Sequence, residues 1–183
     1  MNRRHYIWVL LFAALFLTAC ANNNPTGDTV YLLTNEDELK VQFSQSKWRA
    51  SYGIEYYYRP VNQAANLTLM HIELNQYNVM FDYTRKDDES IYRLVWRYSQ
   101  PDGDALLQDS IERLGYKYVY PDNPAEGTKY VSDMNRDEAK EAGRVSWDVD
   151  YSVNGVLFSA SIPWDISDED VTKFLQMEKV PLK

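Results

Sequence analysis

The residues RVSWDVDYSVNGVLFSASI, 144–162, carry the strongest local structural signal in the chain. Apolar and polar residues alternate on either side of Asn154-Gly155, and a period of two marks strands with one buried and one wetter face. Asn-Gly readily takes the left-handed backbone of a type I′ turn, whose twist matches that of the strands it joins. Residues 144–153 and 156–162 are therefore expected to pair as an antiparallel hairpin.

The same alternation, rich in tyrosine, runs upstream as far as Val30. Residues 39–43 and 48–58 pattern as strands, the second ended by Pro60, with Trp48, Ala50, Tyr52 and then Ile54, Tyr56, Tyr58 alternating. Residues 67–74 and 77–83, separated by Asn75-Gln76, pattern as a second hairpin. Across a charged loop at 85–89, residues 91–98 form the next strand, with Tyr92, Leu94, Trp96 and Tyr98 on one face and Arg93 and Arg97 on the other. Leu107, Ile111 and Leu114 have helical spacing, with Asp104 placed as N-cap and Gly115 after the last turn. A strand at 115–120, a loop at 123–127, a brief pairing at 129–131 and a polar helix at 135–142 lead back to the hairpin. Beyond it, Ser167 caps a final helix whose first turn holds Asp168, Glu169 and Asp170 and whose buried stripe is Val171, Phe174 and Leu175. The sum is an α+β domain, a largely antiparallel β-sheet with one or two helices packed on one face.

The N-terminus reads differently. Arg3 and Arg4 precede an uncharged apolar run at 6–17, the pattern of a secretory signal peptide. As a helix, that run reaches only about 18 Å, against a hydrocarbon core of roughly 30 Å, so a permanent membrane span is not expected. It stops at Leu17-Thr18-Ala19-Cys20, which resembles the bacterial lipobox. That resemblance implies cleavage between Ala19 and Cys20 and a diacylglycerol thioether on the Cys20 sulfur. An ordinary signal peptide is the alternative, but Cys20 is the only cysteine and has no disulfide partner within the chain. Position 21 is alanine, so the aspartate of the inner-membrane retention signal is absent, leaving an outer-membrane or a Gram-positive protein. At about 0.8 kcal/mol per buried CH2, two or three acyl chains give stable attachment.

Three parts follow: a signal peptide at 1–19, a lipidated polar tether at 20–29, and a single α+β domain at 30–183. The leader carries two arginines and no acid, so its removal takes the net charge from −8 to −10. Such a balance argues against nucleic acid and against a broad basic face for anionic lipid.

A further resemblance enters at the C-terminal end. Residues 144–176, with a tryptophan-bearing strand, a turn, an aromatic strand and then ISDEDVTKFL, resemble the ending of uncharacterised extracytoplasmic sheet domains in Gram-positive lipoproteins and anti-sigma-factor external regions. The resemblance implies a fold and an extracytoplasmic location, and favours a Gram-positive over a Gram-negative source. It carries over no active-site residue.

Little catalytic chemistry is legible. His71 is the one histidine left after the leader goes, too few for a multi-histidine metal site, and its place within a strand suits a solvated or neighbour-bonded side chain. No serine sits in a Gly-x-Ser-x-Gly elbow, and no Gly-rich phosphate loop appears. Asp102-Gly103-Asp104 and Asp168-Glu169-Asp170 read as turn, cap and helix-dipole residues more readily than as calcium ligands. Neither a metal nor a cofactor is expected.

The 15 tyrosines and five tryptophans are the unusual feature. An exposed row could bind glycan or peptide, and Tyr56, Tyr57 and Tyr58 are the candidate ligand-binding aromatics; core and cross-strand packing is the commoner use of such rows. The reading is a non-catalytic lipoprotein on the extracytoplasmic face of the cell membrane, binding an envelope protein, peptide or wall polymer. A carboxylate-dependent cell-envelope hydrolase is the alternative. On this reading Cys20→Ser leaves the precursor unlipidated and releases it from the membrane fraction. A variant that still sediments with membranes through a processed N-terminus contradicts the anchor.

Overall fold

The computed structural model describes residues 29–61, 67–87, 90–100, 102–120 and 129–182. The expected leader, the expected Ala19–Cys20 cleavage site and all of the expected tether but Thr29 lie outside the described residues, as does the loop expected at 123–127. Among the described residues no helix is long and apolar enough to cross a membrane.

The hairpin at Asn154-Gly155 forms as its sequence requires. Strands β8 (Trp147–Val153) and β9 (Val156–Ile162) pair antiparallel in continuous register from Trp147 opposite Ile162 to Val153 opposite Val156. Asn154 and Gly155 both hold positive φ, 53° and 76°, as a type I′ turn demands. The second expected hairpin also forms, from β3 (Leu67–Leu74) and β4 (Val79–Arg85). Its later strand starts at Val79 rather than Tyr77 because the Asn75 side chain closes the turn, accepting from the backbone N–H of Tyr77 and Asn78 at 2.9 and 3.1 Å. With β1 (Tyr31–Leu33), β5 (Ile91–Trp96), β6 (Lys117–Val119) and β7 (Tyr130–Ser132), these strands make one antiparallel sheet of eight, ordered β1-β3-β4-β5-β9-β8-β7-β6.

Two sequence expectations fail near the N-terminus. Residues 39–43 belong not to a strand but to helix α1 (Glu36–Gln45), capped by Asn35, whose side chain accepts from the Glu38 N–H at 3.0 Å. Leu39 and Phe43, four apart, fit either period, whereas Val41 shares their face only in a strand. Only the helix separates them, burying Leu39 and Phe43 completely while leaving Val41 53% exposed. Likewise residues 48–58 are not one strand. Ser46 caps helix α2 (Lys47–Tyr52), Gly53 closes it, and only β2 (Tyr56–Pro60) is extended.

The strand β10 (Met177–Pro181), absent from the sequence reading, pairs with β2 as a separate two-stranded ribbon. That ribbon, α1, α2 and the terminal helix α5 (Asp168–Phe174) cover one face of the large sheet, where Phe81, Leu94, Trp96, Tyr151 and Phe158 are buried. The α5 stripe of Val171, Phe174 and Leu175 is buried as expected, with Ser167 capping through its side chain. Helix α4 (Arg136–Glu141) also forms where a polar helix was expected, held by an Asn135–Glu138 capping box.

Helix α3 (Gly103–Leu114) refines the expected arrangement, because it lies on the opposite face. Its Leu107 packs with Val131 and Leu157, which alternate with core-facing Tyr130 and Phe158. Asp102, not Asp104, is its N-cap, accepting from Ala105 N–H at 3.0 Å, and Leu114 is exposed. Gly103 lets the helix start against the hairpin: its N–H donates to Gly155 O at 2.8 Å, and a Cβ there would lie 2.7 Å from Leu157 N and 2.8 Å from Val156 C. Both neighbours are backbone and cannot swing aside. Gly103→Ala is therefore expected to push α3 off β9 and cost roughly 1–3 kcal/mol. Urea unfolding reads it, and an unchanged midpoint means the contact carries no stability.

Candidate functional site

Where α3 stops short, the second face of the sheet is open and polar. A cross-strand row runs over it, from His71 on β3 to Asp82 on β4, Arg93 on β5, Ser161 on β9 and Asp148 on β8. Each of these alternates with a core residue on its own strand, so the period that builds the core also builds this row. Asp82 is only 3% exposed. Burial of a carboxylate requires compensation, and Arg93 supplies it with a two-pronged contact, Nε to Oδ1 and an Nη to Oδ2, both 2.8 Å. His71 Nε2 lies 3.4 Å from the same Oδ2. The strand histidine thus has a neighbour, as its sequence position suggested.

Beside this row the sheet, the residue after α3 and the loops near α4 enclose a cleft of about 450 Å³. Its floor includes Val95, Ser159 and Ser161; Tyr116, Asp133 and Arg144 stand around it, and Arg93, Arg97, Asp148 and Asp150 also line it. Arg97 donates from Nε to Ser159 Oγ at 2.7 Å, and that hydroxyl donates to Asp150 Oδ1 at 2.5 Å. A second hydroxyl relay runs from Ser161 to Ser146 (2.9 Å) and on to Asp148 Oδ1 (3.3 Å). Arg144 grips Asp133 through two nitrogens at 3.3 and 2.7 Å. Burial, reinforced by Asp150, Asp133 and Asp148, pushes the Tyr116 hydroxyl above the usual phenol range. It therefore stays a protonated donor at neutral pH.

The aromatic triplet singled out from sequence does not line this cleft. Tyr57 and Tyr58 are buried, at 3% and 4% exposure, and Tyr56 is half-buried. The cause is the unforeseen ribbon: β2 lies over the main sheet, so Tyr58 packs edge-on to Trp96 and Phe158, with ring centroids 5.5 and 5.1 Å away. Tyr57 points the other way and donates to Glu36 Oε2 at 3.4 Å. These rings hold layers together and present no exposed row. Cys20 and Ala19 lie outside the described residues.

Asp102 is spent capping α3, and Asp168 is engaged by Arg136. Among the described residues no cluster of three or more His, Cys, Asp or Glu is placed to hold a metal ion. The sequence reading had put Arg93 and Arg97 on the face away from the core; it missed Asp82, Asp148, Asp150, Ser159 and Ser161. Their signal was present as the polar half of each alternation, but which strands stand side by side is needed to gather them.

Comparison with family models, with curated proteins and with solved structures finds no match for this chain.

Removing the Asp82 carboxylate takes the acceptor from two donors of Arg93, whose side chain is otherwise partly open to solvent. Asp82→Ala is expected to lower stability by roughly 1–3 kcal/mol. Calorimetric melting reads this, and a melting temperature equal to wild type contradicts a structural role for the pair.

Proposed function

We propose that this chain is a lipid-anchored extracytoplasmic protein that binds an envelope protein, peptide or wall polymer through the cleft on the open face of its sheet, and that it carries out no reaction there. The anchor rests on the sequence alone, on Arg3 and Arg4, the apolar run at 6–17 and the Cys20 lipobox. The resemblance of residues 144–176 to extracytoplasmic sheet domains supports the same location.

One observation carries the binding reading: the cleft keeps hydrogen-bonding capacity that the fold does not use. Arg97 engages only its Nε, Asp150 only Oδ1 and Asp148 only Oδ1, and the Tyr116 hydroxyl has no partner among the described residues. Polar groups gathered in a concavity and left to solvent are what a ligand completes.

A carboxylate-dependent hydrolase is the second reading, favoured by one observation: Asp133, Asp148 and Asp150 line the same cleft. Against it, Asp133 is held by Arg144 and Asp150 by Ser159, so two of the three are committed to structural partners. A photo-crosslinking residue placed at Val95, on the cleft floor, is expected to capture a partner in intact cells. The same residue at Val145, 89% exposed and outside the cleft, serves as the control. Equal yields at both positions, or none at Val95, remove the cleft from the proposal. Loss of wall-glycan hydrolysis in Asp150→Asn, with the fold intact, decides for the enzyme.

A further inference from the structure

The charges in the cleft are not spent evenly. Arg93 and Arg144 are each held by a carboxylate, Asp82 and Asp133 respectively. Arg97 forms no ion pair among the described residues, and the terminal nitrogens of its guanidinium have no partner there. Beside it Asp150 has one carboxylate oxygen unused, and the single hydroxyl of Ser159 bridges the two, accepting from Arg97 at 2.7 Å and donating to Asp150 at 2.5 Å. The bonded ends of the two groups, Arg97 Nε and Asp150 Oδ1, therefore lie within two hydrogen-bond lengths of each other, with the terminal nitrogens of the one and Oδ2 of the other left unbonded beside them, and Asp148 lies on the same strand and face as Asp150.

That juxtaposition selects among ligand classes. A bare anion such as phosphate would meet Arg97 but also face the carboxylates of Asp133, Asp148 and Asp150. An organic cation would meet the aspartates but face Arg93, Arg97 and Arg144. A neutral sugar would strip water from Arg97 and Asp150 without neutralising either, which is unfavourable for groups of opposite charge held apart. Only a ligand with both signs close together satisfies both. The geometry points to a small zwitterion with a peptide backbone, a free amino acid or short peptide, its carboxylate on the Arg97 fork and its ammonium on Asp150 and Asp148. A guanidinium fork matches a carboxylate in two parallel bonds. Val95, half-buried on the floor between Arg93 and Arg97, offers an apolar patch to a small side chain such as alanine. The protonated Tyr116 hydroxyl adds a donor for a peptide carbonyl.

This inference rests on the cleft being the binding site, and its test separates the two. The probe is L-alanyl-L-alanine, titrated calorimetrically into the full lipidated chain in detergent micelles. Three partners accompany it: the N-acetylated dipeptide, the C-amidated dipeptide, and the dipeptide blocked at both ends. The free dipeptide is expected to bind; each singly blocked form binds roughly tenfold or more weaker, because a hydrogen-bonded charge is lost on one side. Arg97→Gln is expected to show the same loss, and Arg97→Lys a partial one, since an ammonium keeps the charge without the fork. The blocked forms are measured on the wild-type chain, so a variant that misfolds does not decide the matter. Equal affinity for free and doubly blocked dipeptide, full affinity in a folded Arg97→Gln, or no heat from the free dipeptide overturns the zwitterion. If that happens while a crosslinker at Val95 still captures a partner in cells, the cleft remains the binding site and only the ligand class is wrong. Failure of both removes the site itself.

Discussion

Trp96 is the contact on which the layers of this protein meet. It sits at the end of β5, in the middle of the eight-stranded sheet, and is buried. Phe43 from α1 approaches it edge-on at 5.6 Å, Tyr58 from β2 at 5.5 Å, and Tyr98, two residues further along its own chain, at 5.5 Å. Two segments that precede β5 by dozens of residues thus meet on one ring, which a neighbour from its own segment also contacts. Edge-to-face pairs of this kind contribute about 0.5–1.5 kcal/mol each beyond the burial of their area. The indole Nε1 has no hydrogen-bond partner among the described residues.

Because that cluster occupies one face, the other face is left to polar chemistry. Strand alternation sends Arg93 to the side opposite Tyr92 and Leu94, and Asp148 and Asp150 to the side opposite Trp147, Val149 and Tyr151. On the core side such charges would have to be desolvated at a cost of several kcal/mol each. On the open side they stay within reach of solvent, and Arg93 reaches across to a carboxylate on β4. Asp82 shows the limit: it is buried although it lies on the polar face, and it is accommodated through two donors from Arg93 with His71 alongside. Helix α3 then closes one end of this face and leaves the rest as a cleft. Its approach depends on Gly103, whose missing side chain lets the first turn lie directly on the backbone of the β8–β9 hairpin.

Local chemistry was readable wherever it could be decided within a few residues. The Asn154-Gly155 turn, the hairpin around Asn75, the Ser167 cap and the alternation of Tyr92, Leu94, Trp96 and Tyr98 against Arg93 and Arg97 all stand as their residue types require, because turn dihedrals, caps and the period of a strand are properties of neighbouring residues. Ambiguity arose where two periods coincide. Leu39 and Phe43 are four apart, which suits one face of a helix and one face of a strand equally, and only the docking of α1 on the sheet left Val41 outside.

The amino-acid order alone carries an α+β chain with a largely antiparallel sheet, its principal hairpins and its last helix, and a single cysteine at the end of an apolar run. Long-range pairing brings residues 177–181 back against β2, and this burial turned Tyr57 and Tyr58 from candidate ligand contacts into packing. It also decided the strand order β5-β9-β8, and hence that Arg97, Ser159 and Asp150 share one cleft. The reason is physical: periodicity states which face of a strand a side chain occupies, whereas its neighbours across the sheet depend on pairings between distant segments that no local preference specifies.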